Sequence, residues 1–92
     1  MRWIAIKEEN EYLVVYPGHN IAAYLYQRLL KKHCKAEIVT TPTKIYYGCS
    51  QSIKFNEREM EIVMAEIKEM NSSPKGVFKI IKKGRLEYYE KV

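Results

Sequence analysis

Two amphipathic helical segments, set among short strand-forming runs, leave this chain few ways to fold. In the first segment Ile21, Ala22, Leu25 and Leu29 recur at helical spacing, with Tyr26 and Leu30 widening the stripe. In the second, Met60, Val63, Met64, Ile67 and Met70 do the same. A helix with one apolar stripe has to bury it against another layer. Strand-like runs at Glu11–Tyr16, Ala36–Thr40, Ser52–Phe55 and Val77–Ile81 supply that layer. Read in order, the elements are β-α-β-β-α-β. That order predicts an α+β, ferredoxin-like sandwich with both helices on one face of an antiparallel sheet. Met1–Ile6, before the polar turn Lys7–Asn10, and Leu86–Lys91, after Lys82-Lys83-Gly84, are expected to extend the sheet as an N-terminal and a C-terminal strand.

The punctuation agrees with this division. Pro17-Gly18 ends the first core strand, and Asn20 is expected to cap the helix that follows. Asn56-Glu57-Arg58-Glu59 has the form of a capping box, with Glu59 reaching back to the helix start. Asn71-Ser72-Ser73-Pro74 ends the second helix. The expected core contains Leu13, Val15, Leu25, Leu29, Ile53, Val63 and Ile67. Methionines in the second stripe are read as core filling rather than as a cofactor box.

At 92 residues the chain is expected to form one domain, spanning 1–92. No apolar run approaches the ~20 residues that span a bilayer, and Lys7-Glu8-Glu9 cuts the N-terminal run short of a signal sequence. A cytoplasmic protein with no membrane partner is the expectation. The net charge of +5 raises nucleic acid as a partner, because Lys75, Lys79, Lys82, Lys83 and Arg85 lie near Tyr88-Tyr89. The same residues describe a solvated hairpin. No RNP-type aromatic motif is present, and Glu57, Glu59, Glu61, Glu66 and Glu69 mix the charge of the second helix, so nucleic acid is disfavoured.

The chain has two cysteines, Cys34 and Cys49, no Cys-x-x-Cys and no aspartate, with His19 and His33 as the other soft ligands. No metal site and no resident cofactor are expected from such a set. Cys34, in His33-Cys34-Lys35 at a helix end, reads as a small apolar filler. Cys49 differs, because Gly48 and Ser50 flank it at a loop–strand junction, where small neighbours leave a sulfur approachable. A packed cysteine at a strand start is the alternative, and on local sequence alone it is the commoner outcome. In the expected topology the 41–50 connector and the start of the first helix share one end of the sheet. Cys49 should then lie near Gly18, His19 and Asn20, where free N–H groups and the helix dipole favour an anion. Lys44 and His19 could add positive charge, although His19 reads more readily as a surface residue holding the helix start. No Ser-His-Asp or Cys-His-Asn set can be read, so hydrolysis is disfavoured, and whether the protein is an enzyme stays open.

The run Tyr12-Leu13-Val14-Val15-Tyr16-Pro17, then His19-Asn20 opening a helix, then the segment from Pro42 to Phe55, resembles a family of small bacterial and archaeal proteins described as selenium/sulfur carrier-like (the DUF3343 family). Pro17, His19, Pro42, Lys44, Ile45, Cys49, Ile53 and Phe55 fall on the family pattern, over about residues 12–70. Asn20 stands where the pattern leads one to expect an acid, and Ser50 where it leads one to expect glycine. The resemblance implies a carrier that holds one sulfur or selenium atom on Cys49 as a persulfide or perselenide. It would pass that atom from a donor protein to an acceptor enzyme, with Gly18, His19, Asn20, Lys44, Gly48 and Ser50 in support. The alternative is a non-enzymatic binding or regulatory module for a small molecule, protein or RNA. There the basic C-terminal hairpin makes the contact and Cys49 is incidental. Edge strands and eight tyrosines further suggest a homodimer.

Overall fold

A computed structural model of the chain describes residues 10–45 and 51–92. Its elements are β1 (Glu11–Tyr16), α1 (His19–Lys31), β2 (Ala36–Thr40), β3 (Gln51–Asn56), α2 (Met60–Met70), β4 (Gly76–Lys83) and β5 (Leu86–Lys91). A short 3-10 turn, Glu57–Glu59, leads into α2. The strands form one sheet in the order β2-β3-β1-β4-β5, with every neighbouring pair antiparallel. The N-terminal strand expected at Met1–Ile6 lies outside the described residues.

β1 is the middle strand, and its sequence says why. Leu13, Val14, Val15 and Tyr16 are apolar without alternation and all four are buried, as a strand covered on both faces requires. Val14 and Tyr16 join Ile53 and Phe55 of β3, Ala22, Leu25 and Leu29 of α1, and Val63 and Ile67 of α2 in one cluster. Both helices therefore pack on the same face of the sheet. Leu13 and Val15 point the other way by alternation, and with Ser52 and Ile80 they form a second buried layer. The expected core residues are all buried.

Two members of the first expected stripe are not. Ile21 and Leu30 are exposed, because the face of α1 that meets the sheet is the narrower one through Ala22, Leu25 and Leu29. The helix pair is tied by a charge cluster instead. Arg28 of α1 donates to Glu66 of α2 at 2.6 Å and to Glu69 at 2.7 Å, and the Lys32 ammonium lies 3.1 Å from Glu66. Glu66 is only 3% exposed. The ammonium of Lys32, then the guanidinium of Arg28, hold its carboxyl below the ordinary range.

Both expected caps are replaced. The N-cap of α1 is Gly18, in extended conformation, so Asn20 sits inside the first turn and caps nothing. The Asn56 side chain makes no capping bond. Glu59 turns instead toward the end of α1, accepting from the Lys35 backbone N–H at 3.4 Å, and Glu57 accepts from Asn10 at 3.0 Å. Contacts with other elements outcompete the local box. The β4–β5 turn uses Gly84 at φ 62°, a left-handed conformation that glycine adopts without strain. No helix among the described residues is long and apolar enough to cross a membrane.

Candidate functional site

The end of the sheet where β1 finishes is taken as the upper end. Tyr16 pairs there with Gln51, and Gln51 pairs on its other side with Thr40. The upper end therefore collects three features: the Pro17-Gly18 entry to α1, the connector leaving β2, and the loop that returns from α2 to β4. The Tyr16 hydroxyl shares a 3.0 Å hydrogen bond with Ser72 of that loop, and burial pushes the tyrosine's pKa up. The Lys75 N–H donates to the Val15 carbonyl at 2.7 Å, fixing where β4 begins.

Both roots of the connector are pinned. The Thr41 and Ser52 hydroxyls share a 2.7 Å hydrogen bond with both residues buried, and Pro42 accepts from the Ile45 N–H to form a turn. This hydroxyl pair was not legible in advance. Its signal is a threonine and a serine flanking an irregular segment between two strands. Tyr46, Tyr47, Gly48, Cys49 and Ser50 lie outside the described residues, and so does the side chain of His19.

Among the described residues, the start of α1 lacks the features that usually neutralise a helix N-terminus. Gly18 offers no side-chain cap, and the first turn holds no acid. Its orphan N–H groups and positive dipole end face the upper end of the sheet. Asn20 is exposed on that turn. Lys44 is engaged elsewhere: its ammonium donates to the Glu87 carbonyl of β5 at 2.8 Å and lies 5.3 Å from the Tyr88 ring centroid. Three strands separate β2 from β5, so this contact requires connector and far hairpin to fold toward each other across the sheet.

Cys34 occupies the opposite, lower end. His33 ends α1 at φ 60°, and the Cys34 N–H donates to the Leu29 carbonyl at 2.9 Å. The thiol belongs to the helix-facing core and is 3% exposed. Burial first, then a hydrogen bond to the Glu59 carboxylate, push its pKa up to about 12. It stays a thiol at neutral pH. A cavity of about 650 Å³ opens beside it, lined by Glu11, Leu30, His33, Lys54 and Phe55 among others. Among the described residues no group of three or more metal-ligating side chains comes together.

Comparison with curated proteins finds no match. A family profile matches residues 11–79, from the start of β1 into β4, and takes in both helices and the whole connector. The chain belongs to the family described as "Putative Se/S carrier protein-like".

Proposed function

We propose that this protein carries one sulfur or selenium atom on Cys49 and passes it to a partner enzyme. The observation that carries the reading is the state of the other cysteine. A chalcogen carrier of this family type needs a thiolate, and the chain has two cysteines. Cys34 is buried beside a carboxylate, with its pKa raised to about 12, which leaves Cys49 for the role.

Chain connectivity supports the same choice. Two residues of chain span at most ~7 Å whatever their conformation. Cys49 is two residues before Gln51, and Gly18 is two residues after Tyr16, the partner of Gln51 in the sheet. The start of α1, with no side-chain cap and no acid in its first turn, offers positive potential at that end of the sheet. Gly18, His19 and Asn20 would contribute backbone N–H groups, and Gly48 and Ser50 would leave the sulfur approachable. In the transfer step the Cys49 thiolate attacks the terminal sulfur or selenium of a donor persulfide or perselenide. The donor's S–S or S–Se bond breaks, the donor leaves as a thiolate, and no net oxidation occurs. An acceptor nucleophile then takes the outer atom in the same way. Donor and acceptor proteins are the partners this chemistry requires. The same reading takes the fold as ferredoxin-like, supported by the antiparallel order β2-β3-β1-β4 with β5 added outside it.

Intact-mass measurement after incubation with a cysteine desulfurase and either cysteine or selenocysteine, which leave a persulfide or perselenide on that donor, tests this function. The expected gain is one sulfur or selenium atom, absent in Cys49→Ala and retained in Cys34→Ala. Loading that follows Cys34, or no loading under conditions that load another carrier, would overturn it.

A further inference from the structure

We propose that β5 is a strand-addition edge through which two copies of this chain pair antiparallel about a two-fold axis at Tyr89, and that Lys44 guards this edge in the single copy. β5 follows Lys79, where the family match ends, and the proposal is independent of Cys49 chemistry.

The backbone direction of β5 follows from one hydrogen bond. The Val92 N–H donates to the Val77 carbonyl of β4 at 2.8 Å. Backbone groups alternate between the two sides of a strand. Leu86, Tyr88, Glu90 and Val92 therefore turn theirs toward β4, while Glu87, Tyr89 and Lys91 turn theirs outward. Among the described residues, no strand pairs with that outer side. What meets it is Lys44, on the Glu87 carbonyl at 2.8 Å. A lysine laid against a free edge is a recognised means of blocking strand addition.

The occupant follows from the sequence of the edge itself. A two-fold axis normal to the sheet keeps each residue on its own face, so antiparallel partners must have the same parity. With Tyr89 on the axis, the outward-facing positions Glu87, Tyr89 and Lys91 meet one another and can exchange backbone hydrogen bonds. Glu87 of each copy then faces Lys91 of the other, an opposite-charge pair made twice. Leu86, 54% exposed, faces Val92, 73% exposed, so two open apolar side chains cover each other. Neighbouring registers lack this match: an axis at Tyr88 sets Arg85 against Lys91, and an axis at Glu90 sets that acid against itself. The other edge, β2, carries Glu37 as its one charged residue and offers no such complement. In the paired state the Glu87 carbonyl accepts from Lys91 of the second copy, so Lys44 has to leave it. Dimerisation and the position of the connector are thereby linked.

Sedimentation equilibrium under reducing conditions, which removes disulfide-linked species, tests the edge. The wild type is expected to show a reversible monomer–dimer equilibrium. Glu87→Lys should weaken it about tenfold by setting like charges opposite one another at two places. Adding Lys91→Glu to that variant should restore it, which excludes misfolding as the cause. Lys44→Ala should tighten the dimer. Monomer at every concentration in both wild type and Lys44→Ala, or a dimer indifferent to Glu87→Lys, would overturn the proposal.

Discussion

The two helix N-termini of this small sandwich are opposites. α2 is entered through Glu57 and Glu59 and carries Glu61 in its first turn, so its positive end is met by acids. α1 is entered through Pro17-Gly18, with no side-chain cap and no acid in its first turn. The antiparallel layout puts these starts at opposite ends of the sheet. Cys34 lies at the acidic end, where its burial and then the Glu59 carboxylate hold the sulfur protonated. Cys49 is joined through Gln51 to the end with the open start. The contrast teaches that neighbours rather than residue type set a thiol's state: burial and a carboxylate suppress Cys34, and under the proposed function the open start of α1 would favour the thiolate of Cys49.

The largest way to break the contrast is to open the acidic end. Leu29 is fully buried in the core cluster that also holds Cys34, and Leu29→Ala should cost about 2–5 kcal/mol in chemical denaturation. It should also make Cys34 accessible to alkylation under conditions where the wild-type residue is inert.

A smaller loss is expected at the charge cluster that ties the lower half of α1 to α2. Glu66→Ala removes a buried acceptor shared by Arg28 and Lys32. Those cations remain partly solvated, so the expected cost is about 1–3 kcal/mol. The carboxyl's pKa is lowered on folding, so the stabilisation is present above the ordinary carboxylate range and lost as the pH falls through the folded value. Wild-type stability should fall across that acidic window, and Glu66→Ala should flatten the slope. An unchanged slope would mean that other carboxylates set it.

The smallest change makes the open end resemble the acidic one. Asn20→Asp places a negative charge in the first turn of α1, which should stabilise the helix by about 0.3–1 kcal/mol. If Cys49 draws thiolate character from that turn, its alkylation should slow in the same variant. Greater stability with an unchanged rate would separate the cysteine from the helix.

Much of this layout was legible in the chain. The bounds of β1, β2 and β5 follow from their β-rich runs, and both apolar stripes find the sheet, because those signals are local and periodic. The caps were misread because they were judged locally: Glu59 belongs to the Cys34–Lys35 turn, and Gly18 starts α1 before Asn20 can cap it. Glu66 stood out in the sequence only as one of the acids that mix the charge of the second helix. Its partner Arg28 lies 38 residues away, a pairing that no window on α2 reveals, although its spacing from Val63 and Met70 puts it on the edge of the apolar stripe. Lys44 was expected to serve the α1 end and holds β5 instead, which depends on how the connector crosses the sheet. Lys82 of the hairpin also lies 3.5 Å from Glu11 of β1, a pairing between residues too far apart in the chain for any local window to show. The position of Cys49 could be argued from topology, but its surroundings depend on a loop whose residues carry no period.

Site-resolved alkylation most directly tests the difference between the two cysteines. The folded protein is treated with iodoacetamide at neutral pH, and each cysteine is followed by peptide mass. Cys49 should be modified while Cys34 stays intact until denaturant is added. Modification of Cys34 at an equal or faster rate in the folded protein would contradict the account.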